Sequence, residues 1–456
     1  MLVDMIRAGT NVFRLNFSHG TQDKHREMLE NIRAAVQLTG EAIGILQDLQ
    51  GPKIRIGDLA APGIELKTGS TLVITTDPVR GEGNRVSTTY SALPSDVKPG
   101  TRILLDDGKL ELTVQAVRGN DVESKVVVGG LLTAHKGINL PGVPISAPSC
   151  TPKDLEDLAF GLQHDVDFVA LSFVRSAKDI HDLRAHISHF GRGRHVPVIA
   201  KIEKPEAVVC IDSIIAAADG IMIARGDLGV EMPLEDVPVL QKRIVAQCNA
   251  AGKPVIIATQ MLESMIRSPM PTRAEANDVA NAVMDGGDAV MLSGETSVGK
   301  YPLEAVRMMN RIILRAETDR PHGVRDLDIC TAAVTDRHEA LGEAACMLAQ
   351  HMRAAAIVVV TRSGQTARVL ARYRPAPPIV ALTADEKTLR LLSLVWGVHG
   401  FVIADLDVDS DKALLRIQEK CIEGGWVIPG EYVVLLAGQP FLARGSTNFI
   451  KVEKIA

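Results

Sequence analysis

Aromatic side chains are scarce. Phe, Tyr and Trp together make up 3% of the 456 residues, with only two Trp, so aliphatic packing must build the core. Positive charge is not in excess. A net charge of −5 and a pI near 6.2 argue against a nucleic acid or an anionic membrane surface as partner. No apolar run approaches membrane-spanning length, and the opening Met1-Leu-Val-Asp-Met-Ile-Arg7 does not read as a signal peptide. The six cysteines, Cys150, Cys210, Cys248, Cys330, Cys346 and Cys421, are scattered without a Cys-x-x-Cys pair. That spacing offers no zinc site and fits reduced thiols in a cytoplasmic protein.

What is present is a globular chain, 46% hydrophobic and 23% charged, long enough for two or three domains. Leu2 to Ala8 reads as the last turns of a helix stopped by Gly9. Strands are predicted at Asn11–Phe17 and Ala42–Asp48, with a helix from Asp23 to Leu38 between them. From Gly57 to Pro141 short alternating runs such as Ser70–Thr75 and Lys109–Val114 are separated by Gly, Asp and Asn turns; this reads as a small all-β insert. Strand–helix alternation resumes at Thr151-Pro152, a good N-cap followed by a good first helical residue. Further strands are predicted at 167–173, 196–202, 220–224, 254–259 and 289–293, seven in all with the first two. Alternation of this kind, with polar residues at the strand ends, points to an α/β fold, a (β/α)₈ barrel. Beyond about Arg320 a separate α/β domain is expected, with strands at 356–361, 379–383, 400–404, 432–437 and 448–453.

The chemistry concentrates at two strand ends. Val196-Pro-Val-Ile-Ala-Lys-Ile-Glu203 places Lys201 and Glu203 two apart, so an ammonium and a carboxylate face one spot. The next strand, from Gly220, ends in Arg225-Gly226-Asp227. Glu203 and Asp227 could together hold one hard divalent cation such as Mg²⁺, which takes few protein ligands and leaves room for substrate oxygens. The competing reading is a buried salt bridge from Lys201 to either carboxylate, with no chemistry. Arg14, Asn16, Asp48, Thr259 and Glu295 fall at other strand ends. Thr259 could equally be a satisfied strand-end hydroxyl, Ser293 and Glu295 could buttress the rim, Arg55 could be a solvated hinge residue, and His19 reads as a turn hydrogen-bonder.

Nine stretches taken together resemble pyruvate kinase over nearly the whole length. They are Asn11-Val-Phe-Arg-Leu-Asn-Phe-Ser-His-Gly20, Gly51-Pro-Lys-Ile-Arg55, Ile103-Leu-Leu-Asp-Asp-Gly108, Lys136-Gly-Ile-Asn-Leu-Pro141, Ile199-Ala-Lys-Ile-Glu203, Ala224-Arg-Gly-Asp-Leu-Gly229, Ala258-Thr-Gln-Met-Leu-Glu-Ser264, Pro271-Thr-Arg-Ala-Glu275 and Met291-Leu-Ser-Gly-Glu-Thr296. The resemblance implies a cytoplasmic, allosteric phosphotransferase at the last step of glycolysis. Such an enzyme passes the phosphoryl group of phosphoenolpyruvate to ADP, giving pyruvate and ATP. It implies a barrel over residues 1–56 and 143–320, an all-β lid over 57–142 inserted after the third family strand, and a C-terminal effector and oligomerisation domain over 321–456. Glu203 and Asp227 are implied as ligands of Mg²⁺ or Mn²⁺. Lys201 is implied as the catalytic charge, with Gly226, Asp227 and Thr259 around the substrate. Arg14 and Arg55 are implied to grip phosphate oxygens, and Lys136 the nucleotide. The family also places K⁺ at positions matching Asn16, Ser18, Asp48 and the Leu49 carbonyl. A sugar-phosphate or nucleotide effector is implied at Thr361-Arg362-Ser363-Gly364-Gln365-Thr366, in a homotetramer.

The chain departs from the family pattern twice. Family members usually begin with an extra strand ahead of the helix that precedes Asn11, so the first barrel strand is expected to be absent. A non-catalytic, oligomerising homologue is therefore a second reading, and a metal-dependent aldolase barrel a third. Family members also commonly carry Asp-Thr-Lys-Gly-Pro-Glu, where this chain has Asp48-Leu-Gln-Gly-Pro-Lys53. Two unit charges roughly 5 Å apart at an effective dielectric of about 20 repel by about 3 kcal/mol. Lys53 and K⁺ are thus expected to exclude one another.

Overall fold

The computed structural model describes residues 1–319, 337–403, 410–438 and 447–456. The expected boundary at 320–321, Cys330 and Ala404 lie outside the described residues. All seven expected strands of the first two-thirds form one parallel sheet. Its order is Val12–Asn16, Gly44–Asp48, Phe168–Leu171, Val198–Ile202, Gly220–Ala224, Val255–Ala258 and Ala289–Met291. Spatial order follows chain order with helices between neighbours, which is the winding of a (β/α)₈ barrel. Val12–Asn16 and Ala289–Met291 are the sheet's two edges.

The five inner strands are buried on both faces, as a helix-covered parallel sheet requires, while the two edge strands are only partly buried. Val198, Ile199, Ala200, Lys201 and Ile202 are all buried. Their alternation separates two apolar clusters. Val198, Ala200 and Ile202 pack outward against the helices, with Leu183, Ile214 and Ile244. Ile199, Met222, Ile256 and Ala258 pack inside the barrel with Leu46 and Phe168, and Leu394 of the C-terminal domain packs into the same cluster. Lys201, two residues beyond Ile199, keeps the inward direction and emerges at the strand's C-terminal end.

The helix ends follow the sequence signals. Leu2–Arg7 is a helix, and Gly9 takes φ +112° after it. Gln22–Thr39 is capped by the Thr21 hydroxyl and stopped at Gly40, φ +72°. Thr151 and Asp154 cap Pro152–Gln163 reciprocally, the arrangement in which two orphan N–H groups are satisfied at once.

Between Ile64 and Asn139 the chain forms a six-stranded sheet and a two-stranded ribbon. These share a core of Ile, Leu and Val with Tyr90 as its one aromatic. Arg55 and Ile56 already bridge to Gly137 and Thr88, so pairing to the insert begins just before residue 57. The C-terminal sheet has the order Val398–Val402, Ile379–Thr383, Ala356–Val360, Tyr432–Ala437, Phe449–Lys454, with the last strand antiparallel. The Val398 strand starts two residues earlier than the expected Gly400. Gly397 turns the chain at φ +68°, and Val398 pairs with Ile379. The C-terminal domain is tied to the barrel by Arg390, whose Nε donates to the buried Asp167 (2.7 Å) and whose Nη2 donates to Asp165 (3.0 Å). The five described cysteines are unpaired thiols, and among the described residues no helix is long and apolar enough to cross a membrane.

Candidate active site

The polar strand ends converge at one mouth of the barrel. Lys201 is 8% exposed. Its Nζ lies 2.8 Å from Glu203 Oε1 and 3.3 Å from Asp48 Oδ1, and donates to Ser172 Oγ at 2.7 Å. Asp48 is 1% exposed and accepts from Arg14 Nε on its other oxygen at 2.6 Å. Sheet register sets this grouping: Asn16 stands opposite Asp48, Ala170 opposite Asp48 and Leu171 opposite Ala200. Two cations and two carboxylates therefore alternate in a nearly dry space. Burial pushes the Asp48 carboxyl up, but Lys201 and then Arg14 outweigh it, and its pKa ends below the usual range. Burial would likewise discharge Lys201; Asp48 and Glu203 reverse the sign and hold it protonated.

Glu203 has its second oxygen on the Phe173 N–H at 2.8 Å. Asp227 is different. Its carboxylate accepts no hydrogen bond among the described residues, and it is open to solvent in the cleft above the barrel. The protein crowded around it and the neighbouring Glu203 charge push its pKa up to about 6. A carboxylate pair whose repulsion Lys201 and Lys53 offset only in part suits a cation. The described residues contain no cluster of three or more His, Cys, Asp or Glu side chains fit for a metal, so a metal here would have at most these two carboxylates from such side chains. That donor set fits Mg²⁺, which keeps several non-protein oxygens.

The neighbouring loops are held in unusual backbone conformations. Thr259 and Gln260 take φ +72° and +55°, and Phe173 takes +55°. For a β-branched residue this is a strained conformation of a kind that gathers at functional sites. The Thr259 hydroxyl accepts from the Gly226 N–H at 2.7 Å and donates to the Ala258 carbonyl at 2.6 Å. Arg225 points away from the mouth: Nη1 and Nη2 each donate to Asp278 at 2.7 Å, and Nη2 also donates to the Thr259 carbonyl. Arg225 thus braces the strained loop from behind.

The β insert closes over this mouth. The charge of Asp107 reaches Asp227, and a Cβ at Gly108 would lie 3.9 Å from Val230 on the helix that carries Asp227. Lys136 pairs with Asp106 at 2.7 Å, and Arg55 Nη1 donates to the His135 carbonyl. Lys53 is half-buried. Burial lowers its pKa, with Asp227 opposing and Lys201 and Arg55 adding to the fall. Its ammonium is near enough to feel the Asp227, Lys201 and Glu203 charges. His19 is exposed, and burial of its ring, then Lys53, Arg55 and Arg14, lower its pKa; its carbonyl accepts from His25.

Not every expected residue joins the constellation. Glu295 accepts from the N–H groups of Leu262 and Ser293, so it buttresses the rim. Asn16 Oδ1 accepts from the Ser18 N–H (3.1 Å), and the Leu49 carbonyl accepts from Ser172 (2.8 Å). Thr361 to Thr366 lie in the C-terminal domain. There Thr361 Oγ1 accepts from the Gly364 N–H and Thr366 meets Thr447, while Arg362 and Ser363 are exposed. Sequence reasoning passed over Ser172, Phe173 and Asp107. Ser172, a polar residue closing an apolar run, carried a signal; the other two act through a backbone N–H and through the insert's approach.

Comparisons with known proteins point to a single family. A family model described as the pyruvate kinase barrel domain matches residues 1–306, and one described as the pyruvate kinase alpha/beta domain matches residues 339–453. A pyruvate kinase of Mycobacterium tuberculosis is 46% identical over 454 residues, covering 99% of this chain and 94% of its own length. One from Geobacillus stearothermophilus is 46% identical over 459 residues, covering 100% and 78%. A crystal structure of a pyruvate kinase from Cryptosporidium parvum superposes with a TM-score of 0.94 at 38% identity, covering 100% of this chain and 93% of that one.

The buried network generates a stability prediction. The lowered pKa of Asp48 means that its ionised form favours the fold. That contribution is complete above the unfolded value near ~3.9 and is lost as pH falls through the lower folded value. Asp48→Asn is expected to cost ~3–5 kcal/mol at neutral pH, since it leaves buried cations short of a partner. The gap to the parent should narrow as pH is taken below about 4. Melting temperatures of both proteins from pH 7 downward provide the check; a gap that stays constant would mean that Asp48 is not the group that titrates.

Proposed function

The chain belongs to the pyruvate kinase family, and we propose that the network around Lys201 carries its reaction. It is a phosphotransferase, moving the phosphoryl group of phosphoenolpyruvate to ADP to give pyruvate and ATP. The observation that carries the assignment is the buried Lys201 ammonium, held charged between Asp48 and Glu203 beside the unpartnered Asp227. A salt bridge with no further role would have no use for that second, repelled carboxylate. The non-catalytic and aldolase readings are not favoured: both family domains are present and the strand-end residues meet in one place.

In this proposal Glu203 and Asp227 hold a divalent cation, Mg²⁺ or Mn²⁺. When bound, that ion supplies positive charge to the oxygens of the migrating group and its leaving enolate. Lys201 faces the same oxygens, with a charge that the protein has fixed before the substrate arrives. Arg14, held by Asp48, orients phosphate oxygens. The Gly226 and Asp227 N–H groups receive the substrate carboxylate, which displaces the Thr259 hydroxyl from the Gly226 N–H and frees it toward the face where the enolate is protonated. Arg55 and Lys136 line the nucleotide side, and the insert over residues 57–142 acts as the lid that excludes water, the competing phosphoryl acceptor. The Thr361–Thr366 loop, at the start of the Gln365–Arg372 helix, takes a phosphorylated effector through exposed N–H groups and Ser363, in the C-terminal domain of a homotetramer.

Lys53 bears on the monovalent cation. Asp48, one expected K⁺ ligand, is already paired with Arg14 and Lys201, and Lys53 brings a further ammonium into the site. Lys53 then fills the electrostatic role of K⁺, and the enzyme works without it.

Three tests follow from these roles. Lys201→Met should leave Mg²⁺ binding largely intact while removing most turnover, whereas Asp227→Asn and Glu203→Gln should shift the Mg²⁺ dependence itself. Turnover of Lys201→Met within about tenfold of the parent, a loss of under ~1.4 kcal/mol in the barrier, would sink the lysine's role. For the monovalent ion, activity is measured in tetramethylammonium buffer with and without KCl. The parent should be active in both and Lys53→Glu only with KCl; a parent silent until KCl is added refutes the substitution. For the effector loop, Ser363→Asp should abolish activation by a phosphorylated sugar, and unchanged activation would move the effector elsewhere.

A further inference from the structure

At the opposite end of the barrel from the catalytic mouth, the C-terminal domain leaves a small, partly open cleft lined by Lys253, Asp288, Arg368, Arg372 and Arg374 among others. Lys253 sits in the turn between the Val237–Ala250 helix and the Val255–Ala258 strand, and Arg368 lies on the Gln365–Arg372 helix of the C-terminal domain. The acids nearby are already engaged. Asp288 pairs with Arg374 at 3.0 Å, Glu339 with Arg372 at 2.8 Å, and Asp219 with Arg184 at 2.6 Å. Lys253 and Arg368 form no ion pair among the described residues. Lys253 donates to the Ala218 carbonyl at 2.7 Å, and Arg368 reaches the Ser363 carbonyl at 3.3 Å.

Two further donors are unused. Arg374 is 6% exposed, and its Nε has no acceptor; the buried Nε of Arg372 also has none. Burial lowers the pKa of Arg368, and burial together with Arg184 and Arg368 lowers that of Lys253 against the pull of Asp219. A partly dry cleft that gathers surplus cations and unused N–H groups lacks a counter-charge. Lysine with arginine is the pairing that holds phosphate oxygens, one as a point charge and one through its planar fork.

We propose that this cleft binds a phosphate group, with Lys253 of the barrel and Arg368 of the C-terminal domain as its charged ligands, so that the anion clamps the two domains together. The ligand is a phosphate dianion, free or as a small monoester whose remaining atoms lie outside the cleft. Neither lysine nor arginine touches the reaction, so their variants keep basal activity.

The test is calorimetric titration of the full-length enzyme in chloride buffer with inorganic phosphate and, in a second arm, glycerol 3-phosphate. Melting temperature is followed in parallel. The parent is expected to bind phosphate and to melt higher in its presence. Lys253→Gln and Arg368→Gln should each weaken that binding about tenfold or more and lose the thermal gain, while Arg368→Lys retains most of it. Binding of the ester at similar affinity identifies a phosphorylated metabolite as the ligand, and binding of the free ion alone identifies phosphate; both uphold the site. Phosphate affinity unchanged in either glutamine variant places the ion elsewhere, for instance among the cations of the catalytic mouth, and overturns the proposal. So does an absence of binding at tens of millimolar phosphate.

Discussion

One charged side chain in a space with little water sets the terms for the rest of the molecule. Lys201 can stay protonated at 8% exposure only because Asp48 and Glu203 stand beside it. Asp48 in turn can stay ionised only because Lys201 and Arg14 face it. Removing any one member strands the others in a poorly solvated place, which is why such pairs are costly to break although they add little net stability when intact. The four members come from three strands, with Lys201 on one and Glu203 directly after its end, so the network exists only if the sheet forms in register. The catalytic requirement for fixed charge and the structural requirement for strand register are thus one constraint.

Around that network the protein divides its tasks by distance. Asp227 and the Gly226 N–H lie where the proposed substrate and metal would sit, and their backbone is kept in shape by the strained Thr259 loop and the Arg225–Asp278 brace. The β insert brings Asp107 toward Asp227 while keeping a core of its own. At the far end of the barrel, Arg390 and Arg374 fasten the C-terminal domain through Asp167 and Asp288, and the Lys253–Arg368 cleft lies within that same seam. Catalysis and domain coupling therefore use opposite ends of the same strands.

The fold was largely legible because its signals are local. Buried strands such as Val255–Ala258 read as apolar runs, Thr151-Pro152 announced a helix start, and the two-residue spacing of Lys201 and Glu203 placed both on one side of a strand. Where the reading slipped, the deciding term was not local. The Val398 strand begins ahead of the expected Gly400 because its partner Ile379 sets the ladder. For Glu295 the sequence left the rim-buttress reading open, and the two backbone N–H groups that claim its oxygens favour it.

The sequence by itself determined the strand–helix alternation, the residues that could be charged at each strand end, and the substitution of a lysine at position 53. Each follows from side-chain periodicity and chemistry within a few residues. Only the tertiary structure decided which charges meet. Asp48 and Lys201 are 153 positions apart in a chain whose periodicity says nothing about their 3.3 Å separation. Asp227 is left without a partner, and Lys53 is turned into the site, by packing between elements distant in sequence. Charge interactions depend on separation and on how much water intervenes, and both quantities come into being only when the barrel, the insert and the C-terminal domain are in place.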